Sequence, residues 1–407
     1  LHRSDFFFMT GGVMEPTPVN PGLVLRASRP AGWTLCGLAA LWLSCIGLAQ
    51  SAPQDQAASL PDLQQPPGVR PSYPRALAPL LADGSAAPVS TPEGWSGRRE
   101  VLLGKWKELL GAFPARKVPL APEFGAREEL PTFTRQQVTY QLEEGLRTDA
   151  MVLLPRNVSG RLPTVVLFHP TYDGHYRRVV GLEGAEEPER QQAVQLAEAG
   201  FAVIAPRCFL WEDLPAGYHQ SGSENAYAAR VRHMRERHPD WKGITRMTWD
   251  GIRALDFAET LPNVDAKRIG IFGHSLGAKE VVYVAAFDPR PLCVVSSEGG
   301  VGMRQSNWDA VWYLGPEILE PGFAREHHEL LALIAPRPFL LLAGGRGKGA
   351  SDTEASWLLL EAARPVYALF GADKQLGWFN HGLGHRYGAE ARPVAEAFLK
   401  NHLQATR

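Results

Sequence analysis

Apolar positions along the chain follow two periods that alternate in a regular order. Over residues 95–113, Val101, Leu102, Trp106, Leu109 and Leu110 fall at helical spacing and predict an amphipathic helix. Residues 133–140 and 150–154 alternate apolar and polar side chains, which predicts antiparallel strands opening a sheet. Residues 164–169 form a continuous β-branched run suited to a strand buried on both faces. Beyond it, helical stretches at 191–199, 249–261, 278–287, 326–333, 354–363 and 389–402 alternate with short apolar runs at 201–205, 269–272, 292–296, 339–343 and 366–370. Such alternation predicts an α/β fold: a doubly wound, mostly parallel sheet with helices on both faces.

The front of the chain does not follow this pattern. Arg26 and Arg29 precede an apolar run at 33–49, and small residues follow at Ala49, Ser51 and Ala52. This order predicts a signal peptide within residues 1–52. The chain begins at Leu1, and Met14 is expected as the start of translation. Residues 53–93 are rich in Pro, Ala, Gln and Ser, which predicts a linker that need not fold. A single catalytic domain is expected over 94–407. The expectation is a secreted or periplasmic protein with no membrane contact in its mature form.

Composition narrows the function classes only a little. The chain has 407 residues, 45% of them hydrophobic, and a net charge of -1. A chain with so little net charge gives no reason to expect nucleic acid or an anionic membrane as partner. Cys36 and Cys45 fall in the expected signal. Cys208 and Cys293 are far apart, fit no metal-ligand spacing and read as buried small hydrophobes. The histidines likewise lack a metal-ligand spacing, so neither a metal nor an organic cofactor is expected.

The chemistry centres on Gly273-His274-Ser275-Leu276-Gly277, a G-x-S-x-G sequence between a predicted strand and a predicted helix. In that setting the serine sits at the tip of a strained turn, with the N–H of Leu276 aimed where an oxyanion would form. Ser275 is the expected nucleophile. It needs a base, and two late histidines compete: His385, just before the closing helix, and His381, which could instead orient the loop. Two acids compete as well. Asp352 follows the strand at 339–343, the commoner place, and is taken slightly ahead. Glu298 follows the strand at 292–296. After the strand at 164–169, Pro170 lacks an N–H, so Thr171 or Tyr172 is the expected second oxyanion donor. The long stretch 207–241, with Trp211, Tyr218 and Tyr227, reads as a lid whose aromatics stack on a sugar or pack on the body. Trp308 and Trp312 lie in a second aromatic insertion and, with His274, are taken as substrate contacts.

From residue 162 to 402 the chain resembles esterases of the α/β-hydrolase superfamily. It is similar to dienelactone hydrolase-like and acetyl xylan esterase-like proteins, and more distantly to glucuronoyl esterases. The last resemblance rests on Gly273–Lys279, on Glu298-Gly299-Gly300 and on the segment 327–337. It implies Lys279 as a sugar contact and Glu298 as a place for the acid. The arginine that glucuronoyl esterases carry after the serine is Leu276 here. The resemblance implies a serine esterase acting on a small-molecule or oligosaccharide ester, with acetyl or uronoyl esters as substrates. The competing functions are a prolyl-oligopeptidase-like peptidase, disfavoured by the lack of a propeller-length N-terminal domain, and a non-catalytic carbohydrate-binding descendant of the fold.

Overall fold

The computed structural model describes residues 60–82, 88–115, 117–156, 158–171, 173–215, 218 and 225–404. The expected signal peptide and Met14 lie outside them. The described residues build one nine-stranded sheet: β1 Glu123–Glu129, β2 Phe133–Glu143, β3 Leu146–Pro155, β4 Leu162–Phe168, β5 Ala202–Pro206, β6 Val264–His274, β7 Val294–Ser297, β8 Phe339–Ala343 and β9 Leu376–Asn380. Their spatial order is β1-β2-β3-β5-β4-β6-β7-β8-β9. The first three strands and the β3–β5 pairing are antiparallel, and every pairing from β5 to β9 is parallel.

Among the described residues, ten α-helices connect or flank these strands: α1 Pro92–Leu110, α2 Asp173–Val179, α3 Gln192–Glu198, α4 Ala226–Arg237, α5 Gly243–Thr260, α6 Leu276–Phe287, α7 Val311–Leu314, α8 His328–Ile334, α9 Ser356–Leu369 and α10 Ala391–Leu403. The period-2 alternation of strand side chains divides the core. On β4, Val166 and Phe168 join a cluster with residues of α1, α5, α6, α8 and α9. Val165 and Leu167 join the opposite cluster with α2, α3 and α10. Helices therefore cover both faces, and all seven residues of β4 are buried.

Four expectations need correction. The run at 366–370 is not a strand but the end of α9, and the last strand is β9. Leu359, Leu360, Ala363, Val366 and Tyr367 are all buried along α9 at helical spacing, so the helix continues through Pro365. A short apolar run cannot be told from a buried helix by pattern alone. Strand β1 was not expected, because all seven of its residues are exposed and none alternates in burial. Within the stretch expected as a lid, residues 226–237 are helix α4, and its aromatics pack on the body. Trp211 lies 5.4 Å from His169, Tyr227 lies 5.3 Å from Trp312, and the Trp241 indole donates to Ala112 O at 2.9 Å.

The fourth correction concerns the expected linker. Residues 60–82 form neither helix nor strand, as their prolines dictate, yet they are held against the sheet and helices as an arm. Trp378 N–H of β9 donates to Leu63 O at 2.9 Å. The Tyr73 hydroxyl donates to Glu326 Oε2 at 2.8 Å and accepts from Arg304 N–H at 3.2 Å. Leu80 is buried in the core, and His328 Nε2 lies 3.0 Å from Ala78 O. Apolar side chains spaced between prolines are enough to dock a chain that has no regular structure of its own. Tyr73→Phe keeps the ring and removes the hydroxyl bonded to a carboxylate. It should destabilise the fold by about 1.5–3 kcal/mol, read as a lower midpoint of thermal or denaturant unfolding.

Candidate active site

The C-terminal ends of β4, β6, β7, β8 and β9 bring together residues far apart in the chain. Open α/β sheets form their sites along this edge. At the end of β6 the chain turns directly into α6, with Ser275 between them at φ 59°, ψ -114°. Positive φ in a non-glycine residue costs about 1–3 kcal/mol and persists only where the surroundings enforce it. Two glycines show what enforces it here. A Cβ on Gly277 would lie 2.0 Å from Phe168 O of β4, and one on Gly273 would lie 2.1 Å from Gly277 O. Helix α6 can reach the sheet this closely only if both positions lack side chains. Ser275 N–H donates to Ser297 O at 2.8 Å, which ties the turn to β7. Leu276 buries its side chain in the core. It is the first residue of α6, where backbone N–H groups have no acceptor within the helix.

The two histidines separate cleanly. His385 Nε2 lies 2.8 Å from Ser275 Oγ. His381 accepts the N–H of Leu383 on Nδ1 at 3.3 Å and so braces its own loop. Burial holds the His381 imidazole below the usual histidine range.

The two acids also separate, in the opposite sense to the slight preference for Asp352. The carboxylate of Glu298 is fully buried and its Oε2 stands 3.4 Å from His385 Nδ1. It accepts N–H bonds from Gly344, from Ser351 at 2.7 Å and from Asp352 at 3.3 Å. Asp352 faces away from the imidazole. Its carboxylate accepts from Gly300 N–H at 2.9 Å, Val301 N–H at 2.7 Å and Ser356 Oγ at 2.9 Å. Burial, and then the charge of neighbouring Glu298, push Asp352 up to about 6. Asp352 thus shapes the loop that follows Glu298, whereas Glu298 addresses the histidine.

The residues expected to touch sugar divide in the same way. A cleft of about 670 Å³ opens over Ser275 and His385, lined among others by Thr171, His274, Arg178, Arg190, Arg386 and Tyr387. His274 Nδ1 lies 3.0 Å from Ser297 Oγ and its ring is 5.3 Å from that of His385. Thr171 is half-buried at the cleft wall, and Tyr172 lies outside the described residues. Lys279, Trp308 and Trp312 are buried and do not line this cleft. Lys279 Nζ donates to Gly299 O at 2.6 Å and stands 4.1 Å above the Trp308 ring. Trp308 Nε1 donates to Gly300 O at 2.6 Å. Both side chains therefore support the loop next to Glu298 from behind. Trp312 packs on Tyr313 and Tyr227. Sequence reasoning overlooked Ser351, whose hydroxyl is 3.1 Å from His385 Nδ1, and the three arginines of the cleft. Nothing in their local sequence marks them, because strands distant in the chain bring them to the site.

Residues 148–302 match the dienelactone hydrolase family. A Bacillus subtilis (strain 168) protein, YtaP, named for a hydrolase, is 26% identical over 305 residues, 72% of this chain and 96% of its own. The 4-O-methyl-glucuronoyl methylesterase 1 of Wolfiporia cocos (strain MD-104) is 26% identical over 172 residues. That match covers 34% of this chain and only 40% of the relative. A solved glucuronoyl esterase from Solibacter usitatus superposes with a TM-score of 0.65 at 21% identity, over 82% of this chain and 98% of its own. This is a likeness of fold, and the fold is that of the α/β-hydrolases.

Burial draws Lys279 down to about 7, against about 10.4 for an exposed lysine. The folded state thus resists protonating it, while the unfolded chain binds that proton up to about pH 10. Between these values the unfolded state holds more protons, so stability rises with pH, and below about 7 the penalty is complete. Lys279→Met should remove this rise, seen as a smaller gain in unfolding temperature between about pH 7 and pH 9 than in the parent protein.

Proposed function

We propose that this chain, a carboxylic-ester hydrolase with a dienelactone hydrolase-like segment, is a serine esterase of carbohydrate-linked esters working through Ser275, His385 and Glu298. The observation that carries this reading is the 2.8 Å approach of His385 Nε2 to an oxygen held at a strained strand-to-helix turn. A serine hydroxyl is a weak nucleophile until a neighbouring base removes its proton. His385 takes that proton as Ser275 Oγ attacks the ester carbonyl, and later returns it to the departing alcohol. Glu298 holds Nδ1–H toward itself and stabilises the imidazolium formed in each step. The N–H groups of Leu276 and Thr171 receive the oxyanion. Water then attacks the acyl-enzyme by the same route in reverse.

The carbohydrate part of the reading is supported by the similarity to the Wolfiporia cocos methylesterase and to the Solibacter usitatus glucuronoyl esterase. Leu276 leaves the cleft without an arginine directly after the nucleophile; of the arginines that line its walls, Arg178 and Arg190 are paired with Glu187, and Arg386 stands beside His385 in the chain. Acetyl and uronoyl esters both remain within this reading. Export to the periplasm or medium belongs to it too, supported by the apolar run at 33–49.

The test is turnover of acetyl-xylan, a glucuronate ester and a short p-nitrophenyl ester. Ser275→Ala should lower kcat by about four to six orders of magnitude with the fold intact. Glu298→Gln should lower it by about two to four orders, while Asp352→Asn acts chiefly on stability. Loss of turnover in Asp352→Asn with retention in Glu298→Gln would reverse the assignment of the acid. Sugar binding without turnover of any of the three esters would point to a non-catalytic binding protein.

A further inference from the structure

His385 Nδ1 has a second acceptor besides Glu298, and hydrogen-bond direction tells what it does. Ser351 lies in the segment between β8 and α9 and is buried. Its backbone N–H donates to Glu298 Oε2 at 2.7 Å, the same oxygen that faces Nδ1. Its hydroxyl stands 3.1 Å from Nδ1, closer than the carboxylate at 3.4 Å. That hydroxyl also donates to Ser306 Oγ at 3.3 Å, and Ser306 Oγ donates to Asn307 Oδ1 at 3.3 Å. A hydroxyl has one proton, so with it directed at Ser306, Ser351 Oγ can present only a lone pair to Nδ1. Asn307 Oδ1 is purely an acceptor and closes the series. Ser306 is itself held at φ 54°, a conformation that its surroundings must maintain.

We propose that Ser351 is a positioning residue of this site. With Ser306 and Asn307 it forms a hydroxyl relay that accepts the Nδ1 proton of His385 beside Glu298. The relay holds the imidazole as its Nδ1–H tautomer and leaves Nε2 free to face Ser275. This inference rests on His385 being the base. Ser351 is neutral and acts through its hydrogen bond to the imidazole. Removing it takes an acceptor from the imidazolium and weakens the state formed during attack.

The test uses the full chain and a short p-nitrophenyl ester. Ser351→Ala keeps the backbone N–H to Glu298 and removes only the hydroxyl. It should lower kcat about tenfold and keep KM within about twofold. Ser351→Thr, which retains a hydroxyl, should recover most of kcat. Wild-type kcat in Ser351→Ala would overturn the proposal. So would equal impairment of the alanine and threonine variants, since that is the mark of packing alone. Ser275→Ala and His385→Ala assayed alongside separate the two levels. If they retain turnover, the serine-esterase reading fails; if they lose it while Ser351→Ala is silent, only the relay fails.

Discussion

Helix α6 lies against the Phe168 carbonyl of β4 at a distance that admits no side chain on Gly277. The rest of the site depends on that contact. It brings the first turn of the helix down to the sheet, and the chain between strand and helix has only Ser275 with which to turn. The serine takes up a disfavoured backbone conformation so that its oxygen stands above the strand ends. The same approach leaves the N–H of Leu276, next to Ser275, at the helix start, where it has no acceptor inside the helix. Strain and close packing are here two views of one constraint. The local cost at Ser275 is offset by the burial of α6, where every residue from Leu276 to Ala286 is buried.

A second constraint operates at the ends of β7 and β8. Two carboxylates, Glu298 and Asp352, are buried side by side, and among the described residues no lysine or arginine is bonded to either. Backbone N–H groups satisfy both, three for Glu298 and two for Asp352, with the Ser356 hydroxyl added to Asp352. Such an arrangement fixes carboxylate position more tightly than an ion pair with a long flexible side chain would. Lys279 and Trp308 complete the support by bonding the carbonyls of Gly299 and Gly300. Several residues that look like substrate contacts from their chemistry are therefore the scaffold of the loop behind Glu298.

The sequence carried the central part of this picture well. Gly273, Ser275 and Gly277 named the turn, and the alternation of apolar runs with helical stretches named the doubly wound sheet. These signals are local, and local periodicity survives in a single sequence. What escaped was set by contacts between distant segments. Both Glu298 and Asp352 stand after strand ends, and which one meets His385 depends on how the loops after β7, β8 and β9 fold over one another. The roles of Lys279, Trp308 and Trp312 turned on burial, which their residue types do not reveal. The run at 366–370 was read as a strand because its apolar residues were counted without the buried ones preceding them in α9. The arm at 60–82 lacked any period, and its docking surfaces are supplied by α8, β9 and the loop before α8.

The two margins of the sheet are closed by different means. At β1, Glu123, Arg127, Glu128 and Glu129 stand exposed, so a further strand pairing there would have to bury charge. At β9 no such charge is present; the strand reads Leu-Gly-Trp-Phe-Asn, and Leu63 of the arm occupies its outer side. The proline-rich arm thus serves as a cover for an apolar strand margin. Loss of the arm would open a template on which a second molecule could add a strand, so the trimmed protein would tend to associate with itself.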